Sequence, residues 1–197
     1  NTHADQILCT TAATRRDVMG YLAPSLFERS IIAPLGVEQG FRAASRPEVS
    51  DVFFVMLGTI ELRKNHAIIL DIWHRLAAEP GAPTLHIIGR RGWNNQDVFK
   101  WLDDSPFLGQ LIFEHNTMSD NDVQHMLAGT RALLFPSFIE GFGLPAVEAA
   151  AMGTPVLCSD LPVFRELLGP NALYADPHDS AAWEVAIRGL IQRAAQV

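Results

Sequence analysis

Short apolar runs alternate with amphipathic runs along most of the chain. Residues 52–57, VFFVML, have the pattern of a buried strand, and residues 65–79 then place apolar side chains at helical spacing before Pro80 and Gly81. The alternation continues, with further strands predicted at 85–88, 111–113, 132–135, 155–158 and 172–174, and helices at 95–102, 119–127, 145–152, 163–168 and 180–195. These repeated β–α units predict an α/β fold, a Rossmann-like, doubly wound parallel sheet of about six strands.

Four loops follow from this sheet as candidate sites. Parallel sheets bind ligands at the carboxyl ends of their strands, which places residues 58–65, 89–94, 114–118 and 136–144 at one edge. The first 48 residues differ, with strands predicted at 7–10 and 31–33, a helix at 14–22, and then a linker containing proline and glycine.

Composition and charge narrow the classes of partner. The formal charge of −7 argues against nucleic acid or acidic lipid as the main partner, although a local positive site can still bind a small anion. The two cysteines, Cys9 and Cys158, lie in apolar runs and are expected to be buried thiols. No apolar run approaches the roughly 20 residues of a transmembrane helix, and no signal peptide is visible, so the expected location is cytoplasmic.

The segment 135–148, FPSFIEGFGLPAVE, carries the richest chemistry. Gly141 and Gly143 stand between a predicted strand and a helix, and free N–H groups at such a turn form a cradle for phosphate. Glu140 precedes the cradle and Glu148 lies inside the helix, where each carboxylate can accept hydrogen bonds from two neighbouring sugar hydroxyls. Alternatively, Glu148 is only a helix residue favoured by the dipole, and Glu140 is a solvated loop residue.

A second segment, GTIELRKN at 58–65, brings positive charge to the same edge of the sheet. Arg63 and Lys64 are suited to a diphosphate, which needs charge-assisted hydrogen bonds. The alternative is a solvated basic pair.

Together these segments resemble a known family. Glu140 and Glu148 are eight residues apart, and the run FPSFIEGFGLPAVEA with AMGTPV after it is similar to the E-x7-E core of the family-4 retaining glycosyltransferases, the glycosyl transferases group 1. GTIELRKNH resembles the phosphate-binding loop of that family, and the resemblance covers about residues 31–190. It implies that the chain is the C-terminal, donor-binding domain of a GT-B fold.

The resemblance assigns roles at the sugar end of the donor. Glu140 matches the catalytic-site glutamate that contacts the sugar ring. The backbone amides that meet sugar and phosphate match Gly141, Phe142, Gly143 and Leu144.

It also assigns roles at the nucleotide end. Glu148 matches the glutamate that binds ribose, and Arg63 and Lys64 match the diphosphate clamp. Met118 falls where backbone contacts the base. Thr59 departs from the pattern, because many members carry arginine there, so the whole diphosphate charge is expected to fall on Arg63 and Lys64.

The resemblance further implies an activity and a domain organisation. The full-length enzyme is expected to be a hexosyltransferase of polysaccharide biosynthesis that moves a sugar from a nucleoside-diphosphate sugar to an acceptor with retention, without metal or other cofactor. Residues 1–48 are expected to be a remnant of the N-terminal acceptor domain plus linker, with residues 1–30 loosely packed, and 49–197 the donor-binding domain. The chain alone is then expected to be inactive, and the full-length enzyme can associate peripherally with a membrane.

Three alternatives remain open at this point. Gly141, Gly143 and Ala146 follow a strand, and Asp160 ends the next one, which is the arrangement of an NAD-dependent oxidoreductase. The second alternative is a nucleotide-sugar epimerase of GT-B fold, and the third is a non-catalytic module that binds a sugar nucleotide.

Overall fold

The chain, seen in a computed structural model, is described for residues 5–21, 27–38, 41 and 51–192. The strands in these ranges are β1 (Ile7–Cys9), β2 (Ser30–Ile32), β3 (Phe53–Leu57), β4 (Thr84–Ile88), β5 (Ile112–His115), β6 (Leu133–Phe135), β7 (Val156–Ser159) and β8 (Leu173–Ala175). The α-helices are α1 (Ala12–Met19), α2 (His66–Leu76), α3 (Gln96–Asp104), α4 (Asp120–Gly129), α5 (Leu144–Ala151), α6 (Pro162–Leu168) and α7 (Ser180–Gln192).

Strands β3 to β8 form one parallel sheet of six strands in the order β5-β4-β3-β6-β7-β8. Val55 of β3 lies opposite His86 on one side and Leu133 on the other. The chain runs outward from β3 to β5 and then returns to start β6 on the other side of β3, so the helices that follow β3 and β6 pack on opposite faces of the sheet and leave a crevice. The predicted parallel α/β fold is confirmed.

The side chains of a strand point alternately to the two faces of the sheet. In β3, Phe54 and Met56 face one helical layer and Val55 faces the other, and all three are buried. Helices α2, α3 and α7 pack on the first face, where Trp73 and Trp183 are among the largest buried side chains. Helices α4, α5 and α6 cover the second face. Both faces are therefore shielded from water, as a parallel sheet requires.

A second, two-stranded sheet lies in the N-terminal part. Strands β1 and β2 pair in parallel, with Leu8 opposite Ile31. The predicted linker includes residues 39–40 and 42–48, which lie outside the described residues.

Helix α1 is tied to the six-stranded unit by specific hydrogen bonds. Its N-cap Thr11 accepts a hydrogen bond from the Thr14 backbone N–H. The carboxylate of Glu166, in α6, accepts hydrogen bonds from the backbone N–H groups of Ala12 (2.7 Å) and Ala13 (2.9 Å). For helix α1, the expectation of loose packing is therefore wrong, because bonds to a charged acceptor at the helix N-terminus hold it in one place.

Two further predictions concern burial and hydropathy. Cys9 and Cys158 are buried free thiols, as predicted, and burial raises the pKa of Cys158 to about 12. Within the described ranges, no helix has the length and apolar character needed to cross a bilayer.

Candidate functional site

The loops after β3 and β6 meet in the crevice and are bonded to each other. The Phe138 backbone N–H donates to the Arg63 carbonyl at 2.8 Å. Asn65 takes the left-handed conformation at φ 53°, and its side-chain amide donates to the carbonyls of Pro136 at 3.2 Å and Pro177 at 2.9 Å. Asparagine suits this position because it tolerates positive φ and its amide can link neighbouring loops.

The two predicted cations converge on one carboxylate oxygen. Oε1 of Glu140 lies 2.6 Å from Lys64 Nζ and 2.9 Å from Arg63 Nη1, and it accepts a hydrogen bond from Ser137 Oγ at 2.9 Å. In the described part of the chain, Oε2 of Glu140 has no such partner. Glu140 is thus the counter-ion of the pair predicted to hold a diphosphate, in addition to its predicted role toward the sugar.

Arg63 and Lys64 differ in burial. The Lys64 side chain is 10% exposed, and its Nζ lies 4.4 Å from the centre of the Phe135 ring. Burial lowers the pKa of Lys64, while its hydrogen bond to Glu140 raises it. The Arg63 side chain is 44% exposed, and Glu61 holds its Nε at 2.6 Å. Lys64 is therefore a fixed charge in the crevice wall, and Arg63 faces solvent.

The glycine turn between β6 and α5 offers unpaired donors. Gly143 caps α5 in the left-handed region at φ 84°, and a Cβ there would lie 2.5 Å from the Phe164 ring. Within the described residues, no acceptor is bonded to the backbone N–H of Gly141, Phe142, Gly143 or Leu144. Successive free amides at the start of a helix form an anion-binding cradle.

Glu148 is a half-buried carboxylate in α5. It has no hydrogen bond or ion pair with any described residue. Burial raises its pKa, and the charges of Glu38 and Asp120 raise it further. Met118 is partly buried in the core cluster on the same face of the sheet. The structure thus brings Arg63, Lys64 and Glu140 into direct contact, whereas Glu148 and Met118, also among the described residues, make no polar contact with them.

A cavity of about 660 Å³ lies beside the end of β5. Its wall includes Arg90, His115, Asn116 and Thr117, which come from two of the four predicted loops. Thr117 in this wall directly precedes Met118, whose backbone is expected to contact the base.

Two site residues were missed in the sequence. Ser137 bonds to Glu140, and Glu61 to Arg63. Their signal was weak, because a serine inside a motif and an acid two residues before an arginine are common in solvated loops.

The acid that favoured an oxidoreductase is already paired. Asp160 accepts from Arg165 at 2.7 Å and 2.9 Å through both oxygens. A ribose-binding acid would need these oxygens for the 2′ and 3′ hydroxyls, so the paired Asp160 does not favour that interpretation.

Comparison with known proteins identifies relatives. The family model described as Glycosyl transferases group 1 matches residues 38–195. The serotype-specific mannosyltransferase WbdA of Escherichia coli is 31% identical over 190 residues, which are 87% of this chain and 23% of WbdA. The MMP alpha-(1->4)-mannosyltransferase of Mycolicibacterium hassiacum is 25% identical over 180 residues, 84% of this chain and 39% of that protein. The chain thus spans less than half the length of these relatives.

Solved structures share the fold. A sucrose-phosphate synthase from Thermosynechococcus elongatus matches with a TM-score of 0.81 and 18% identity, over 96% of this chain and 50% of that one. HepE from Anabaena, solved in complex with UDP and glucose, matches with a TM-score of 0.80 and 19% identity, over 95% and 54%. The family model covers most of the sequence and the fold agrees with it, so the chain belongs to the glycosyl transferases group 1 family.

Proposed function

We propose that this chain is the donor-binding part of a retaining glycosyltransferase that takes a hexosyl group, mannosyl by analogy with its relatives, from a nucleoside-diphosphate sugar. One observation supports this most directly. Two cations and four amide N–H groups without acceptors flank a carboxylate at the point where the strand order reverses. That combination suits an anion with a polyhydroxyl group attached.

The diphosphate would lie between the cations and the glycine turn. Arg63 and Lys64 supply positive charge, and the amides of Gly141, Phe142, Gly143 and Leu144 supply directed donors. Negative charge grows on the diphosphate as the sugar–oxygen bond breaks, so donors aimed at it stabilise the transition state more than the ground state. These groups can perform that task without a metal ion, and we propose none.

The two glutamates would bind hydroxyl groups at opposite ends of the donor. Glu140 keeps Oε1 on Lys64 and Arg63, which leaves Oε2 for the sugar ring. Glu148, a half-buried carboxylate with no described donor, gains partners if ribose hydroxyls donate to it. The backbone at Met118 would contact the base.

The acceptor would be held by another domain, of which residues 1–48 would be a part. Leu8, Ile31 and Ile32 of the two-stranded sheet are 67%, 46% and 42% exposed. Parallel sheets of two short strands are rarely stable alone, so further strands of an acceptor domain would complete this one. A cytoplasmic setting and peripheral membrane association of the full-length enzyme belong to the same proposal.

Calorimetric titration tests the donor site. The chain is titrated with nucleoside diphosphates of the common bases and with their mannose and glucose conjugates. Arg63→Ala combined with Lys64→Ala should weaken nucleoside diphosphate binding by about 10²-fold, since each charge-assisted bond contributes roughly 1.5–3 kcal/mol. Lys100→Ala is the control, because Lys100 pairs with Asp104 on the surface of α3. Equal affinities for the clamp variant and the control would overturn the assignment.

Glu148→Gln separates the ribose site from the clamp. It should weaken the diphosphate and its sugar conjugate equally, by roughly tenfold, because both ligands contain ribose. A loss confined to the conjugate would place Glu148 at the sugar instead.

A further inference from the structure

We propose that Thr14 is a positioning residue for the donor cradle: its hydroxyl holds the Gly141 carbonyl and thereby orients the Phe142 amide toward the donor phosphate. This inference rests on the proposed donor-binding function. It assigns to the start of α1, which is distant in sequence, a role in positioning the glycine turn.

The contact joins residues 127 positions apart. Thr14 Oγ1 donates to the Gly141 carbonyl at 2.8 Å, whereas the hydroxyls of Thr10 and Thr11 lie farther from it, at 3.2 Å and 3.4 Å. Thr11 Oγ1 also lies 2.9 Å from Thr14 Oγ1, so its single proton is shared between two acceptors. By distance, the Thr14 hydroxyl makes the strongest of these bonds.

Peptide geometry connects this bond to the ligand. The carbonyl of Gly141 and the N–H of Phe142 belong to one planar trans peptide unit, and they point in opposite directions. A carbonyl held toward Thr14 therefore turns the Phe142 N–H away from α1. Gly141 is exposed, and a Cβ there would meet nothing within 4 Å, so its own packing does not prevent this peptide from turning over.

Helix α6 holds both ends of the turn. Its Glu166 accepts the Ala12 and Ala13 N–H groups and so fixes the start of α1. Its Phe164 lies where a side chain on Gly143 would have to be. The cradle is therefore anchored at Gly143 directly and at Gly141 through Thr14, which makes its amides ready for an anion before the anion arrives.

The test compares isosteric variants by nucleoside diphosphate titration. Thr14→Val removes the hydroxyl and keeps the shape, and we expect its affinity to fall about five- to tenfold. Thr14→Ser restores the hydroxyl and should restore affinity. Thr154→Val is the matched control, because it also removes a threonine-to-carbonyl bond, to Leu127 at 2.6 Å, away from the cradle. It should lower the melting temperature without changing affinity.

A second readout needs no ligand. The Phe142 amide resonance and its hydrogen-exchange rate should change in Thr14→Val and return in Thr14→Ser. If Thr14→Val does not fold, Glu166→Gln replaces it, with the same expected loss of affinity.

The outcomes are distinct. Failure of the unmodified chain to bind any nucleoside diphosphate would overturn the donor-binding function and this inference with it. Tight binding by the unmodified chain and equally tight binding by Thr14→Val would overturn the inference alone. Loss of affinity in Thr154→Val of the same size would show a general effect of stability and would also overturn it.

Discussion

At the residue scale, Glu140 would compete with the diphosphate that is proposed to bind beside it. Its Oε1 occupies Lys64 Nζ and Arg63 Nη1, the same groups that would hold a diphosphate. A diphosphate that binds must share or displace this carboxylate, because like charges repel at these distances. In the free protein, Glu140 pairs with the buried Lys64, and a buried lysine without such a partner would destabilise the fold.

Glu140→Gln should therefore act in opposite directions on two ligands. Nucleoside diphosphate should bind about threefold to tenfold more tightly, because a negatively charged competitor for the cations is lost. The sugar conjugate should no longer bind more tightly than the diphosphate, because the carboxylate that accepts hydrogen bonds from the sugar is gone. Ser137→Ala is the control, because it removes a neutral contact to the same oxygen and should produce no gain. Weaker diphosphate binding in Glu140→Gln would contradict this account.

His66 gives a pH-dependent contribution to stability. It is the first residue of α2, is 3% exposed, and its Nδ1 has no partner among the described residues. Burial, followed by the charge of Lys64, lowers its pKa to about 4. A histidine held neutral in the fold stabilises fully above its unfolded pKa of about 6.5, and this contribution is lost as pH falls toward 4.

Urea denaturation at two pH values measures the effect. His66 should make the protein about 2 kcal/mol less stable at pH 5 than at pH 7. His66→Gln should lose that part of the pH dependence, and the contribution of His86, whose pKa is also lowered to about 4, cancels in the comparison. Parallel curves for the two proteins would mean that His66 is protonated in the fold.

At the element scale, two glycines allow the energetic cost of a positive φ to be compared with the cost of a steric clash. Gly143 begins α5 at φ 84°, and Gly153 follows the end of the same helix at φ 77°. An added Cβ would lie 2.5 Å from Phe164 at Gly143, whereas at Gly153 it would meet nothing within 4 Å. The two positions therefore share an unfavourable φ but differ in available space.

Gly153→Ala should lower the free energy of unfolding by about 1 kcal/mol, from positive φ alone. Gly143→Ala should lower it by roughly 1–3 kcal/mol more, because Phe164 must move, and only this variant should weaken nucleoside diphosphate binding. Denaturation curves and titrations on both variants check this. Equal losses in the free energy of unfolding for the two variants would show that Phe164 can move aside without further destabilising the fold.

At the scale of the whole molecule, donor binding and transfer are separate properties. Transfer requires two substrates in reacting geometry, which is worth orders of magnitude in rate. We expect this chain to bind donor but not to transfer sugar, since the acceptor site is proposed to lie in another domain. Incubation with labelled donor and candidate acceptors tests this, with donor binding as the control for a folded site. Transfer at ordinary enzymatic rates would show that the acceptor site lies within these residues.

The sequence alone was sufficient for the order and type of the elements. Short apolar runs and the 3.6-residue period report burial within a few residues, so β3, α2 and the later units were predicted close to their observed bounds. Among the strands, the largest shift was at β5, predicted at 111–113 and found at Ile112–His115. Glu114 and His115 extend it because backbone pairing with Ile87 and Ile88 needs no apolar side chain. The motif around Glu140 and Glu148 also identified the family without coordinates.

Only the tertiary structure decided which of these residues touch. The contacts of Lys64 with Glu140 and of Thr14 with Gly141 span 76 and 127 residues. Both exist because β6 pairs with β3 and because α1 packs on α6. Strand order and helix docking are set by packing over the whole chain, and no local periodicity records them. For that reason the sequence indicated a cation pair and a glutamate as separate ligand groups, whereas the fold makes them one ion-paired cluster at the crevice.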